Sequence, residues 1–101
     1  MTFPPDVQRE MGYALFLAQA GGRHRTMAKT MSGFGCGTTI EVRENAEGGT
    51  YRAIYTVRYL DAVYVLHAFQ KKSKAGIKTP KPDLDLVDKR LKALIAERER
   101  Q

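Results

Sequence analysis

GTYRAIYTVRYLDAVYVLHAFQKK, running from Gly49 to Lys72, alternates apolar and polar side chains over most of its length and breaks at Leu60–Asp61. Tyr51, Ala53, Tyr55, Val57 and Tyr59 recur at every second position, the spacing of a strand with one buried face, and Ala62 to Lys71 reads as a strand folded back on it. Upstream, Ile40 and Val42 mark a third strand, with Asn45, Gly48 and Gly49 supplying the turn. These segments predict a three-stranded antiparallel meander. Before it, Pro4, Pro5 and Asp6 favour a helix start, and Val7, Met11, Ala14, Leu15 and Ala18 keep helical spacing until Gly21 and Gly22. That predicts a helix over about Pro5 to Ala20, with Tyr13, Phe16 and Leu17 widening its apolar face so that a second side is partly covered. A loop through Gly37 follows, in which Met27, Met31 and Phe34 plug the edge of the core. After the meander, a helix starting near Pro82 or Asp83 buries Leu84, Val87, Leu91, Leu94 and Ile95, with acids early and bases late as the helix dipole favours. The predicted fold class is α+β: a small antiparallel sheet with an N-terminal and a C-terminal helix, in one domain over residues 1–101.

With 43% hydrophobic and 28% charged residues, the composition is that of a soluble globular protein. The uninterrupted apolar run Tyr13–Ala18 falls far short of the ~20 residues of a membrane helix, and no signal peptide opens the chain, so a cytoplasmic protein is expected. Cys36 stands alone, which excludes an internal disulfide, and His24 and His67 are too distant in sequence for a local metal motif. Neither a metal nor a cofactor is expected.

The net charge of +6 points to an anionic partner: RNA, DNA or an acidic protein. Its distribution is uneven. Met11 to Ile40 holds no acid but contains Arg23, His24, Arg25 and Lys29, and Ala62 to Pro82 holds none but contains Lys71, Lys72, Lys74, Lys78 and Lys81. A lysine-rich stretch beside a strand end is suited to phosphate. If Leu60–Asp61 forms a tight turn, Arg52 lies opposite Phe69 and Ile54 opposite His67. One sheet face then displays Arg52, Thr56, Arg58, His67, Phe69 and Lys71, and the other gathers Tyr51, Ala53, Tyr55, Val57, Tyr64, Leu66 and Ala68 as core. The first set could grip phosphates while a base stacks on Phe69.

RNA is cleaved without a metal when its own 2′-hydroxyl attacks phosphorus. The protein must take that proton, stabilise the phosphorane oxygens and protonate the departing 5′-oxygen. Arginine and lysine suit the middle task, and His67 is the acid or base by type. Each candidate also has a plainer role: Arg52 could pair with Glu41 or Glu44 on the neighbouring strand, His67 could be a packed, hydrogen-bonded residue, and Lys71 and Lys72 could simply discourage edge pairing.

GTYRAIYTV followed by YVLHAFQKKSKAGIKTPKPDLDLVDKRL resembles the phage-derived HigB-like branch of the RelE/ParE toxin superfamily. The shared features are the tyrosine–arginine strand, the Leu-His-x-Phe-x-Lys-Lys strand end, the Lys-Thr-Pro loop and the helix after it, together spanning nearly the whole chain. The resemblance implies the toxin of a type II toxin–antitoxin pair, an mRNA interferase that cuts messenger RNA on the ribosome. Its implied partners are the ribosome, mRNA and a helix-turn-helix antitoxin encoded beside it, which binds DNA and lets the pair repress its own promoter. It also implies that Arg52 contacts the scissile phosphate, that Lys71 and Lys72 form the basic pair at the strand end, and that His67 serves in acid–base chemistry. Arg58, Phe69, Lys74, Lys78 and Lys81 are then expected to bind RNA. Replacing Arg52 with Ala is expected to abolish toxicity and leave the fold intact. Relatives begin with a strand ahead of the first helix, whereas this chain starts almost at the helix, which would open a sheet edge to a homodimer or an antitoxin strand. A different class is also compatible: a non-enzymatic inhibitor of DNA gyrase, as in the ParE branch, or an inactive homologue that binds its antitoxin alone.

Overall fold

The computed structural model describes residues 3–31, 37–46, 49–71 and 79–100. Two helices, α1 (Pro5–Gln19) and α2 (Lys81–Glu99), enclose strands β1 (Ala28–Thr30), β2 (Thr39–Ala46), β3 (Gly49–Tyr59) and β4 (Ala62–Lys71) in an antiparallel sheet ordered β1-β2-β3-β4. The fold is α+β, as the sequence predicts, with one strand more than expected. β1 pairs Ala28, Lys29 and Thr30 with Val42, Glu41 and Ile40. Three residues are too short to show a period of two, so the partner strand, not the local pattern, makes this segment a strand.

Proline at its start fixes the backbone angle of α1, and Val7, Met11, Ala14 and Ala18 form its buried stripe. The stripe packs on Ile40, Val42, Tyr51, Ala53 and Tyr55, the face of the sheet expected to be core. Gly21, at φ 89°, turns the chain out of the helix while the Gly22 N–H donates to the Leu17 carbonyl at 2.8 Å. Among the described residues the expected cover on a second side of α1 reaches only Leu17, which is half-buried, while Tyr13 and Phe16 are 53% and 62% exposed. Met27 packs beside this first core and Met31 beside a second one, while Phe34 and Gly48 lie outside the described residues.

The predicted register holds from Thr50↔Lys71 to Ile54↔His67, and Tyr59↔Ala62 closes the tight turn at Leu60–Asp61. Between them the pairing slips, Tyr55 facing Val65 and leaving Leu66 as the extra residue of a bulge. This slip corrects two assignments. Leu66 joins Ile54, Phe69, Val87 and Leu91 in the second core, and the Tyr64 hydroxyl accepts a hydrogen bond from Arg98 of α2, so both lie on the α2 side. The face read as open is therefore largely roofed by α2: Arg52 is 1% exposed and Phe69 7%.

α2 begins after Pro80, close to the predicted Pro82–Asp83, and buries Val87 and Leu91 with Leu94 and Ile95 beside them. Its far end is clamped by Arg98, which donates to both Asp61 carboxylate oxygens at 2.9 Å and lies 4.3 Å from the Tyr59 ring centroid. Those hydrogen bonds hold the Asp61 carboxyl below its usual range. A depressed carboxyl contributes to stability above its unfolded-state value and loses that contribution as pH falls through the folded one. Acidification below the ordinary aspartate range, about 3.9, is thus expected to release the last turn of α2 first. Hydrogen exchange at Leu94–Arg98 that rises with acid before exchange at Val87 and Leu91 would agree; simultaneous exposure would not.

Candidate nucleic-acid interface

The chemistry-bearing side chains gather at the open end of the β3–β4 hairpin, where the chain enters α2. Cross-strand pairing sets Arg52 opposite Phe69, and the alternation of β4 puts His67 on the same face two residues away. His67 and Phe69 stack with ring centroids 4.9 Å apart and 17° between planes, and the Arg52 guanidinium carbon lies 5.9 Å from the Phe69 centroid. The residues just before and in the first turn of α2 then close over them.

Arg52 is held by two neighbours. Its Nη1 donates to the Thr79 hydroxyl at 3.2 Å and lies 3.7 Å from Glu41 Oε2, while Thr79 itself donates to that same carboxylate oxygen. Glu41, 3% exposed, takes Arg43 Nε on its other oxygen at 2.5 Å. Burial draws the Arg52 guanidinium below its ordinary range, and the Glu41 carboxylate offsets part of that cost. Its Nε has no hydrogen-bond partner among the described residues.

His67 is engaged on both sides. Nε2 lies 2.8 Å from Asp83 Oδ1, and Nδ1 lies 3.5 Å from Nη1 of Arg90, which also donates to the Leu66 carbonyl at 2.7 Å. An arginine donor at Nδ1 fits the neutral imidazole with its hydrogen on Nε2, given to Asp83. Asp83 sits in the first turn of α2, where the helix dipole favours a carboxylate.

The other expected residues are spread out. Lys71 ends β4 opposite Thr50 and is half-buried. Lys81 opens α2, exposed, with Nζ 3.1 Å from Asp85. Arg58 is exposed near the far end of β3, six residues from Arg52, which is roughly 20 Å of strand. The structure therefore unites Arg52, His67 and Phe69 and places Arg58 well away from them. Lys72, Lys74 and Lys78 lie outside the described residues. The sequence singles out neither Thr79 nor Asp83 as a partner of these groups, and only their positions at a helix start give a signal, whereas Glu41 is a partner of Arg52 that the sequence does offer. The expectation that Arg52→Ala leaves the fold intact is corrected by its burial, since the change would strand the Glu41 carboxylate. Among the described residues no cluster of acids, histidines and cysteines could hold a metal, and no helix is long and apolar enough to cross a membrane.

A family model described as "Phage derived protein Gp49-like (DUF891)" matches residues 1–92. No curated protein and no solved structure matches the chain.

Proposed function

Since this chain belongs to the phage-derived Gp49-like family, a family associated with toxin–antitoxin systems, we propose that it is the toxin of a type II pair that cleaves mRNA on the ribosome. The observation that supports the nuclease reading is the gathering of Arg52, His67 and Phe69 at the strand end that Lys71 closes. In this reading His67 moves a proton between the 2′-hydroxyl and the leaving oxygen. Such a group contributes on the order of 10²–10⁴-fold to rate. Arg52, Lys71 and Lys72 stabilise the charge on the phosphorane, and Phe69 stacks on a base. Arg58, Lys74, Lys78 and Lys81 hold the RNA backbone, with affinity that falls steeply as salt rises.

Because Thr79 and Asp83 pair with Arg52 and His67 in the free chain, RNA must displace those two contacts to reach them. A helix-turn-helix antitoxin encoded beside the chain is the expected inhibitor, and the outer edge of β4 is where a second copy would add a strand.

A second reading, a non-enzymatic inhibitor of DNA gyrase or an inactive antitoxin-binding homologue, is favoured by the same burial. A protein that never meets RNA with Arg52 has no need to expose it. Pulse labelling after induction separates the two. Methionine incorporation is expected to stop before thymidine incorporation; the opposite order would assign the chain to the gyrase class.

A further inference from the structure

β4 carries one residue more than its pairing with β3 needs. Leu66 faces no partner on β3, and β4, as the last strand of the sheet, has no neighbour on its other side. A bulge interrupts the ladder and re-aims the groups beside it, and bulges gather next to reactive side chains for that reason. Here the next residue is His67. An irregularity of opposite sense between Thr56 and Tyr59 restores the register, so the slip is confined to the middle of the hairpin. The Leu66 carbonyl accepts a hydrogen bond from Nη1 of Arg90 at 2.7 Å, and the same nitrogen lies 3.5 Å from His67 Nδ1. The bulge thereby pins a guanidinium from α2 against the imidazole.

Arg9, Arg43, Arg98 and Arg100 each meet a carboxylate, whereas Arg90 has no acid partner among the described residues. A backbone carbonyl fixes its position without neutralising its charge. Its Nε and Nη2 have no partner among the described residues either, and these two nitrogens form the side-on fork that grips a phosphate through parallel hydrogen bonds. Arg90 is exposed, while Arg52 is 1% exposed behind Thr79 and Glu41. Of these two guanidinium groups, only that of Arg90 is open to a polyanion in the free chain.

We propose that Arg90 is a further substrate-binding residue of this site, pinned by the Leu66 bulge so that it holds a phosphate of single-stranded RNA beside His67. The proposal rests on the nuclease reading and adds to it a residue from α2. A phosphate on Arg90 anchors the RNA before the contacts of Thr79 and Asp83 give way.

Fluorescence anisotropy of a short labelled single-stranded RNA, titrated with the purified full chain at several salt concentrations, tests this. Arg90→Gln is expected to weaken binding roughly 10-fold, as the loss of hydrogen bonds to a charged group does. It is also expected to reduce the slope of log affinity against log salt by about 0.7, the share of one phosphate on a single strand. Arg90→Lys keeps the charge and loses the fork, so affinity falls only part of the way and the slope matches wild type. A residue that merely braced α2 against β4 would change the melting temperature and leave the slope alone. Lys92→Gln, whose ammonium already lies 2.9 Å from Asp88, is the control and should stay within about 2-fold of wild type. An Arg90→Gln chain with wild-type affinity and slope overturns the assignment, and so does a wild-type chain that binds no RNA even at low salt. The nuclease reading fails separately, when the wild-type chain produces no new RNA 5′ ends in cells.

Discussion

Glu41→Ala is expected to cost the fold about 3–5 kcal/mol, the range for breaking a buried ion pair by removing one partner. A domain of this size has only about 5–15 kcal/mol to lose. The size of the effect comes from what remains: Arg52 at 1% exposure, with no hydrogen-bond partner for its Nε among the described residues, would then have lost its nearest carboxylate, and Thr79 the acceptor of its hydroxyl. Its positive charge would stay buried with only the Thr79 hydroxyl as a hydrogen-bond partner among the described residues. Glu41→Leu combined with Arg52→Leu removes both charges and is expected to regain most of the loss, since the desolvation cost of the pair disappears with it. Urea unfolding midpoints measure all of these. A single variant within about 1 kcal/mol of wild type would mean that water, not Glu41, solvates the guanidinium.

Arg52→Lys carries the largest expected effect on activity. Lysine keeps a charge beside Glu41 but loses the planar fork that can hold Thr79 and a phosphate at fixed geometry. Loss of one preorganised donor to the developing anion lowers cleavage by roughly 10²–10³-fold. The melting temperature is expected to change little, because the buried carboxylate keeps a partner. This distinguishes the variant from Arg52→Ala, whose loss of toxicity would report unfolding as much as chemistry. A chain that is both stable and fully toxic with lysine at position 52 would remove Arg52 from the reaction.

Much of this architecture can be read from residue patterns, and the places where it cannot have physical causes. The pairing of Arg52 with Phe69 and of Ile54 with His67 is the register a tight Leu60–Asp61 turn predicts, and the structure has it because two irregularities of opposite sense, one between Thr56 and Tyr59 and one at Leu66, cancel. The bulge at Leu66 is invisible in sequence because Val65 and Leu66 are both apolar, so a slip between them leaves the pattern unchanged. β1 is hidden for a different reason: its hydrogen bonds come from β2, and Ala28–Thr30 carries no signal of its own. The candidate site residues are legible by chemical type. Their burial is not, because an arginine in an apolar strand fits an open phosphate-binding face and a roofed ion pair equally well. Only the seat of α2 decides between those, and it depends on contacts such as His67 with Asp83, sixteen residues apart, that no local spacing encodes.

Mapping RNA 5′ ends in cells after inducing the chain without its neighbouring gene bears most directly on the claim that this cluster cuts message. New ends inside translated messages, present with the wild-type chain and missing with Arg52→Lys, are the predicted result. Growth arrest with no new ends, or the same ends with both chains, would contradict it.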